Sequence, residues 1–123
     1  MRIPVVLTLA LAAAAAHAQQ PGPDHFRART AADLARLCST AAGQPDQASA
    51  VAFCHGVLAG AYGYYDVSVA AADRFVCLPN PGPTRSQIAS GFVSWLKARP
   101  QYNDGQAVDV LFRYAGETFP CKR

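Results

Sequence analysis

From residue 30 onward apolar positions recur every three or four residues, and the strict alternation of a half-buried strand is almost absent. Leu34, Leu37 and Cys38 share one face of a first helix. Thr30 is its expected N-cap with Asp33 three residues on, and Gly43 and Pro45 end it. A second helix is predicted from near Asp46 to about Asp73, with Val51, Leu58, Tyr62, Tyr65 and Val69 as its stripe. Gly56, Gly60 and Gly63 thin one side of that helix. The preferred reading is that they let another helix pack closely, with a kink near Gly60–Gly63; the other reading is a hinge or a groove floor.

The segment from Cys77 to Pro83 holds Pro79, Pro81 and Pro83, which fix the backbone and forbid a helix there. Thr84 with Gln87 is a capping pair that opens a third helix. Ile88, Phe92, Trp95 and Leu96 form its apolar face, Ser90, Ser94 and Lys97 face water, and Arg99-Pro100 stops it. Asn103 with Gln106 is predicted to cap the last helix, whose stripe is Ala107, Val110, Leu111, Tyr114, Ala115 and Phe119. The expected fold class is all-α, a small bundle of four to five helices cross-linked by two disulfides.

The N-terminus changes the bulk numbers. Ile3 to Ala16 is an apolar run, shorter than the ~20 residues that span a bilayer, and it ends in Ala16-His17-Ala18, an A-x-A cleavage signal. Residues 1–18 are read as a cleavable signal peptide, 19–29 as a flexible lead-in rich in Pro, Gly and charge, and 30–123 as the helical domain. The leader inflates the 51% hydrophobic fraction. About 105 residues remain after cleavage, enough for one domain and one modest core. The net charge of +3 falls by one when Arg2 is removed. That is too small and scattered to imply nucleic acid, or a membrane surface after cleavage.

All four cysteines, Cys38, Cys54, Cys77 and Cys121, follow the leader, which predicts two disulfides and agrees with export to an oxidising compartment. Spacing alone does not choose among the three pairings. Cys38–Cys54 with Cys77–Cys121 is favoured, because the first joins adjacent helices and the second ties the chain end to a mid-chain loop. No C-x-x-C pair is present and His25 and His55 are the only histidines after the leader, so no metal and no cofactor is expected.

Catalytic motifs are absent: there is no G-x-S-x-G, no H-E-x-x-H and no glycine-rich phosphate loop, so the chain is not read as an enzyme. His55, Tyr62 and Asp66 lie within about 20° around the second helix and would form a polar ridge. His55 and Asp66 are about 16 Å apart along the axis, too far to work as an acid–base pair. The ridge is read as a recognition surface or as a plain solvated face. Tyr62 and Tyr65 also fit the core stripe, whereas Tyr64 is expected to point outward. The loop from Arg99 to Asp104 is a second candidate contact, with Tyr102 as an exposed aromatic, or a simple turn. The candidate partner-binding residues are thus His55, Tyr62, Tyr64, Asp66, Arg99 and Tyr102.

Four segments carry a resemblance: Cys54-His55-Gly56-Val57-Leu58-Ala59-Gly60, Phe75-Val76-Cys77-Leu78-Pro79, Trp95-Leu96-Lys97-Ala98-Arg99-Pro100 and Phe119-Pro120-Cys121. In their order and spacing, over residues 30–121, they resemble the Rap/Tai family of immunity proteins, and Cys38 matches that family's cysteine on the first helix. Val57 stands where many members have Tyr, and Gly63 near where they tend to have Asp. The resemblance implies a periplasmic helical protein that protects its host from a type VI secretion toxin. It would bind a peptidoglycan amidase and occlude the active-site cleft, often as a homodimer. Two other readings fit a small exported helical protein: an HdeA-like acid-stress chaperone, and an envelope adaptor of unknown partner.

Overall fold

The computed structural model describes residues 21–122. The expected signal peptide, residues 1–18, lies outside them. The described chain folds into α1 (Ala31–Cys38), α2 (Gln47–Ser68), α3 (Arg85–Lys97) and α4 (Ala107–Thr118). Short 3-10 turns stand at Pro23–Arg27, Ala71–Asp73 and Pro100–Tyr102. Among the described residues β pairing is limited to two isolated bridges, Thr30 with Gln106 and Val76 with Pro120.

Two helix starts follow the sequence rule. The Asp33 N–H donates to Thr30 Oγ1 at 3.1 Å, and Asp33 Oδ2 accepts from the Thr30 N–H at 3.1 Å. Thr84 and Gln87 make the same reciprocal pair at α3, at 2.8 and 3.1 Å. Each such cap contributes about 1 kcal/mol by satisfying N–H groups that the helix leaves open. The expected Asn103–Gln106 cap does not form. Gln106 is the N-cap of α4 but makes no side-chain cap bond, and Asn103 closes the Pro100–Tyr102 turn. Backbone does the work instead. The Ala107 N–H donates to Arg29 O at 2.9 Å, and the Ala31 and Ala32 N–H groups donate to Gly105 O and Asn103 O at 2.8 and 3.0 Å. The starts of α1 and α4 thus satisfy their open donors against each other's lead-in.

Both early helices are shorter than expected. α1 stops at Cys38, where the Ser39 and Thr40 hydroxyls donate back to the Ala35 and Arg36 carbonyls at 2.7 and 3.0 Å. α2 ends at Ser68 rather than Asp73. The Ser68 hydroxyl donates to Tyr64 O at 2.6 Å, and Arg74 folds back to pair with the Asp66 carboxylate at 2.8 Å and to donate to Asp66 O at 2.6 Å. Those bonds close the last turn, and Val69 then runs extended.

The core is the inner stripe of each helix. It gathers Leu34 and Leu37 of α1, Cys54 and Leu58 of α2, Phe92, Trp95 and Leu96 of α3, and Val110, Leu111 and Tyr114 of α4. α1 packs against all three other helices. Part of the expected flexible lead-in joins this packing. Phe26, on the Pro23–Arg27 turn, lies against the core and meets the Phe53 ring edge-on at 5.7 Å.

The disulfides are Cys38–Cys54, which ties α1 to α2, and Cys77–Cys121, with Cα separations of 5.1 and 4.8 Å. They close loops of 16 and 44 residues. The chain-entropy model assigns such loops about 3 and about 4 kcal/mol. The second bridge is flanked by backbone bonds from the Cys77 N–H to Phe119 O at 2.9 Å and from the Cys121 N–H to Phe75 O at 3.3 Å. Tyr65 anchors the same strip from α2. Its hydroxyl accepts from the Phe75 and Val76 N–H groups at 2.8 and 3.0 Å, and its ring packs on Phe75 and Phe112.

The glycines of α2 and α3 differ in what surrounds them. A Cβ at Gly91 of α3 would collide with the hydroxyl of Tyr114, whose ring is wedged beside Phe92 and Trp95. A Cβ at Gly56, Gly60 or Gly63 would meet nothing within 4 Å. The expectation that another helix packs on those three glycines is therefore corrected: that side of α2 is open. Burial pushes the Tyr114 phenol up from its ordinary value, with the Thr118 side-chain hydrogen bond opposing in part.

Four outcomes follow for stability, each read by urea unfolding. Gly91→Ala costs about 1–3 kcal/mol through overpacking, whereas Gly60→Ala gains about 0.5–1 kcal/mol from helix propensity. Tyr65→Phe costs about 1–3 kcal/mol, because it strips the acceptor from the part-buried Phe75 N–H and the buried Val76 N–H. The raised Tyr114 phenol keeps its proton in the folded state after the unfolded chain has begun to lose it. Its contribution is complete below about pH 10 and is lost as pH rises through the folded pKa; Tyr114→Phe flattens that alkaline decline.

Candidate partner-binding surface

α2 is the longest helix and carries apolar residues on every side, with Asp66 its only carboxylate and no Lys or Arg. A helix apolar all round is normally covered all round. Here one side packs inward through Ala50, Cys54, Leu58 and Tyr65, while the other is open. Ala52, Gly56, Ala59, Gly60, Gly63, Tyr64 and Val67 are exposed, and their spacing puts them on one broad strip. Tyr64 is 74% and Val67 82% exposed, at the C-terminal end of this strip. The absence of side chains at the glycines leaves the helix backbone within reach of a partner.

The six candidate residues separate into two regions. His55 and Tyr62 are half-buried on α2, and Tyr62 lines a cavity at its edge. Tyr64 points outward, as the helix phase requires. Asp66 is exposed but committed to Arg74, so it closes the helix end as well as facing water. Arg99 and Tyr102 belong to a separate cluster built on Trp95. Tyr102 stacks on the Trp95 ring at 5.5 Å with 10° between planes, and the Arg113 guanidinium lies over Tyr102 at 4.9 Å. Arg99 sits over Trp95 at 4.7 Å and reaches Glu117 at 3.5 Å, while the Trp95 indole N–H donates to Glu117 Oε2 at 2.8 Å. Tyr102 is therefore half-buried between a ring and a cation, where the sequence suggested an exposed loop aromatic.

Phe53 and Val67 are exposed members of the α2 surface that the stripe reading missed. The available signal was surplus: α2 holds more large apolar residues than one buried stripe can use. Among the described residues all cysteines are in disulfides, and no group of three His, Cys, Asp or Glu could hold a metal ion. No helix among them is long and apolar enough to cross a membrane. The arrangement offers an apolar, almost uncharged contact face on α2.

A family model described as Rap1a immunity proteins matches residues 30–121, which span α1 to α4 and both disulfides. No curated protein and no solved structure matches the chain.

The two regions separate by stability. Tyr64→Ser and Val67→Ser shift unfolding by less than about 0.5 kcal/mol, since neither side chain is buried. Tyr102→Ala costs about 1–3 kcal/mol through loss of the stack and its burial. Urea midpoints with unchanged m-values check both.

Proposed function

The chain belongs to the Rap1a immunity protein family, and from that premise we propose that it is a periplasmic immunity protein that binds a type VI secretion peptidoglycan amidase and blocks its active-site cleft. Family membership carries the general reading: immunity against a secreted effector, by binding that effector. The observation that supports a binding role for this chain is the open face of α2, apolar and nearly free of charge, ending in Tyr64 and Val67. Large aromatic side chains beside exposed backbone suit a protein interface, where a few such anchors supply most of the affinity. The two disulfides suit an oxidising compartment such as the periplasm, where peptidoglycan is attacked. An inhibitor that acts by occlusion needs no catalytic group of its own.

The effector is placed on the Tyr64–Val67 end of the face. A homodimer would compete for the same apolar strip, and sedimentation of the protein alone, with and without Tyr64→Asp, reads that occupant directly.

The test uses the oxidised chain from Gln19 onward, mixed with candidate type VI amidases while peptidoglycan hydrolysis is followed. The expected result is stoichiometric inhibition that Tyr64→Asp weakens at least about tenfold, which corresponds to about 1.4 kcal/mol. Absence of binding to every amidase of the host and its competitors would sink the amidase reading. An acid titration separates the chaperone alternative: helicity retained at pH 2, with no protection of a client protein, is the outcome expected here.

A further inference from the structure

Beside Gly63 a cavity of about 330 Å³ opens between α2, the Cys77–Pro83 loop, α3 and α4. Its walls include Leu58, Tyr62, Leu78, Ile88, Leu111 and Phe112. That volume falls in the range of small-molecule sites, which are mostly apolar with a few polar groups that fix orientation. Arg85 is the only charged residue lining it. Arg85 makes no ion pair with any described residue, in contrast to Arg27, Arg74 and Arg99. It is also the first residue of α3, and no acidic side chain stands in that helix's first turn. The positive end of the helix dipole therefore adds to the guanidinium instead of being offset. A cation at a helix N-terminus is locally unfavourable, and an anion placed there relieves both charges.

We propose that this cavity binds a single-chain anionic amphiphile, a fatty carboxylate, with the alkyl chain against Leu58, Ile88 and Phe112 and the carboxylate on Arg85. A cationic head would meet the same guanidinium with no carboxylate in the lining to offset it. A neutral alkane-like ligand would gain the apolar contacts but leave the guanidinium unpaired. The proposal does not rest on the amidase reading and can hold or fail without it.

The test is calorimetric titration of the oxidised chain from Gln19 onward with laurate, dodecanol and dodecyltrimethylammonium, each below its micelle concentration. Laurate is expected to bind one to one and at least about threefold tighter than the cationic amphiphile, since the exposed Arg85 guanidinium attracts a carboxylate and repels an ammonium. Arg85→Gln should remove that preference and leave dodecanol unchanged. Gly63→Leu adds a side chain at the cavity edge where its Cβ meets no atom within 4 Å. It should keep the fold, as circular dichroism reads, and abolish laurate binding. No laurate binding, equal affinity for the two charged amphiphiles, or laurate binding unaltered in either variant would each overturn the proposal.

Discussion

The bundle depends on keeping eight residues helical. A helix as short as α1 does not persist alone in water, because nucleation costs more than two turns return. Yet Leu34 and Leu37 of α1 are fully buried, and the other three helices all pack on this segment. It is held at each end by a different device. Thr30 and Asp33 close the first turn locally, and the Ala31 and Ala32 N–H groups are taken by the backbone just before α4. Cys38 fixes the last turn to α2 through Cys54. Covalent, backbone and side-chain restraints thus converge on the element least able to form by itself, which is the place where cross-linking gives most to a small domain.

α2 poses the opposite problem. It is long enough to be stable, yet it carries three glycines whose exposed side touches nothing. Each costs about 0.5–1 kcal/mol relative to alanine in a helix interior. Gly91 shows what a structurally required glycine looks like in the same molecule: Tyr114 fills the space a methyl would need. Gly56, Gly60 and Gly63 have no such tenant. The fold does not need them to be small, and the physical use left to them is close approach of something outside the described chain. That reasoning gives the open face more weight than exposure alone, because exposed Tyr64 or Val67 taken singly would be ordinary surface.

What could be read from the sequence was what local chemistry decides. Thr30 with Asp33 and Thr84 with Gln87 are separated by a single turn, so their caps form wherever a helix starts. The stripes of α3 and α4 repeat strongly enough to place Phe92, Trp95, Val110 and Leu111 inward. The cysteine pairing was legible as a preference because one pair joins neighbouring helices. The misread features were settled by residues distant in the chain. Asn103 and Gln106 look like a cap, but the Arg29 carbonyl reaches the α4 start first. The end of α2 is set by Arg74 returning to Asp66, and Tyr102 is drawn inward by Trp95 and Arg113. Whether small residues on a helix face a neighbour or face open space leaves no trace in the helix itself. The Gly56–Gly63 side therefore carries the same pattern in sequence as a packed seam, although it faces open space.

The open face and the cavity share a border. Gly63 lines the cavity and belongs to the exposed strip, while Tyr62 turns toward the cavity and Tyr64 away from it. A side chain added at position 63 would act on both surfaces, so it is expected to lower effector inhibition as well as laurate binding. Arg85 and Tyr64 differ in this respect. Arg85 lines the cavity from α3, and Tyr64 stands on the outer strip without lining it. Loss of charge at Arg85 therefore reports on the cavity alone, and loss of the ring at Tyr64 on the outer face alone. Ala59 also belongs to both surfaces, and Tyr65 joins Tyr64 to the cavity-lining Phe112; if binding at one surface alters affinity at the other, by linkage the coupling is equal in both directions.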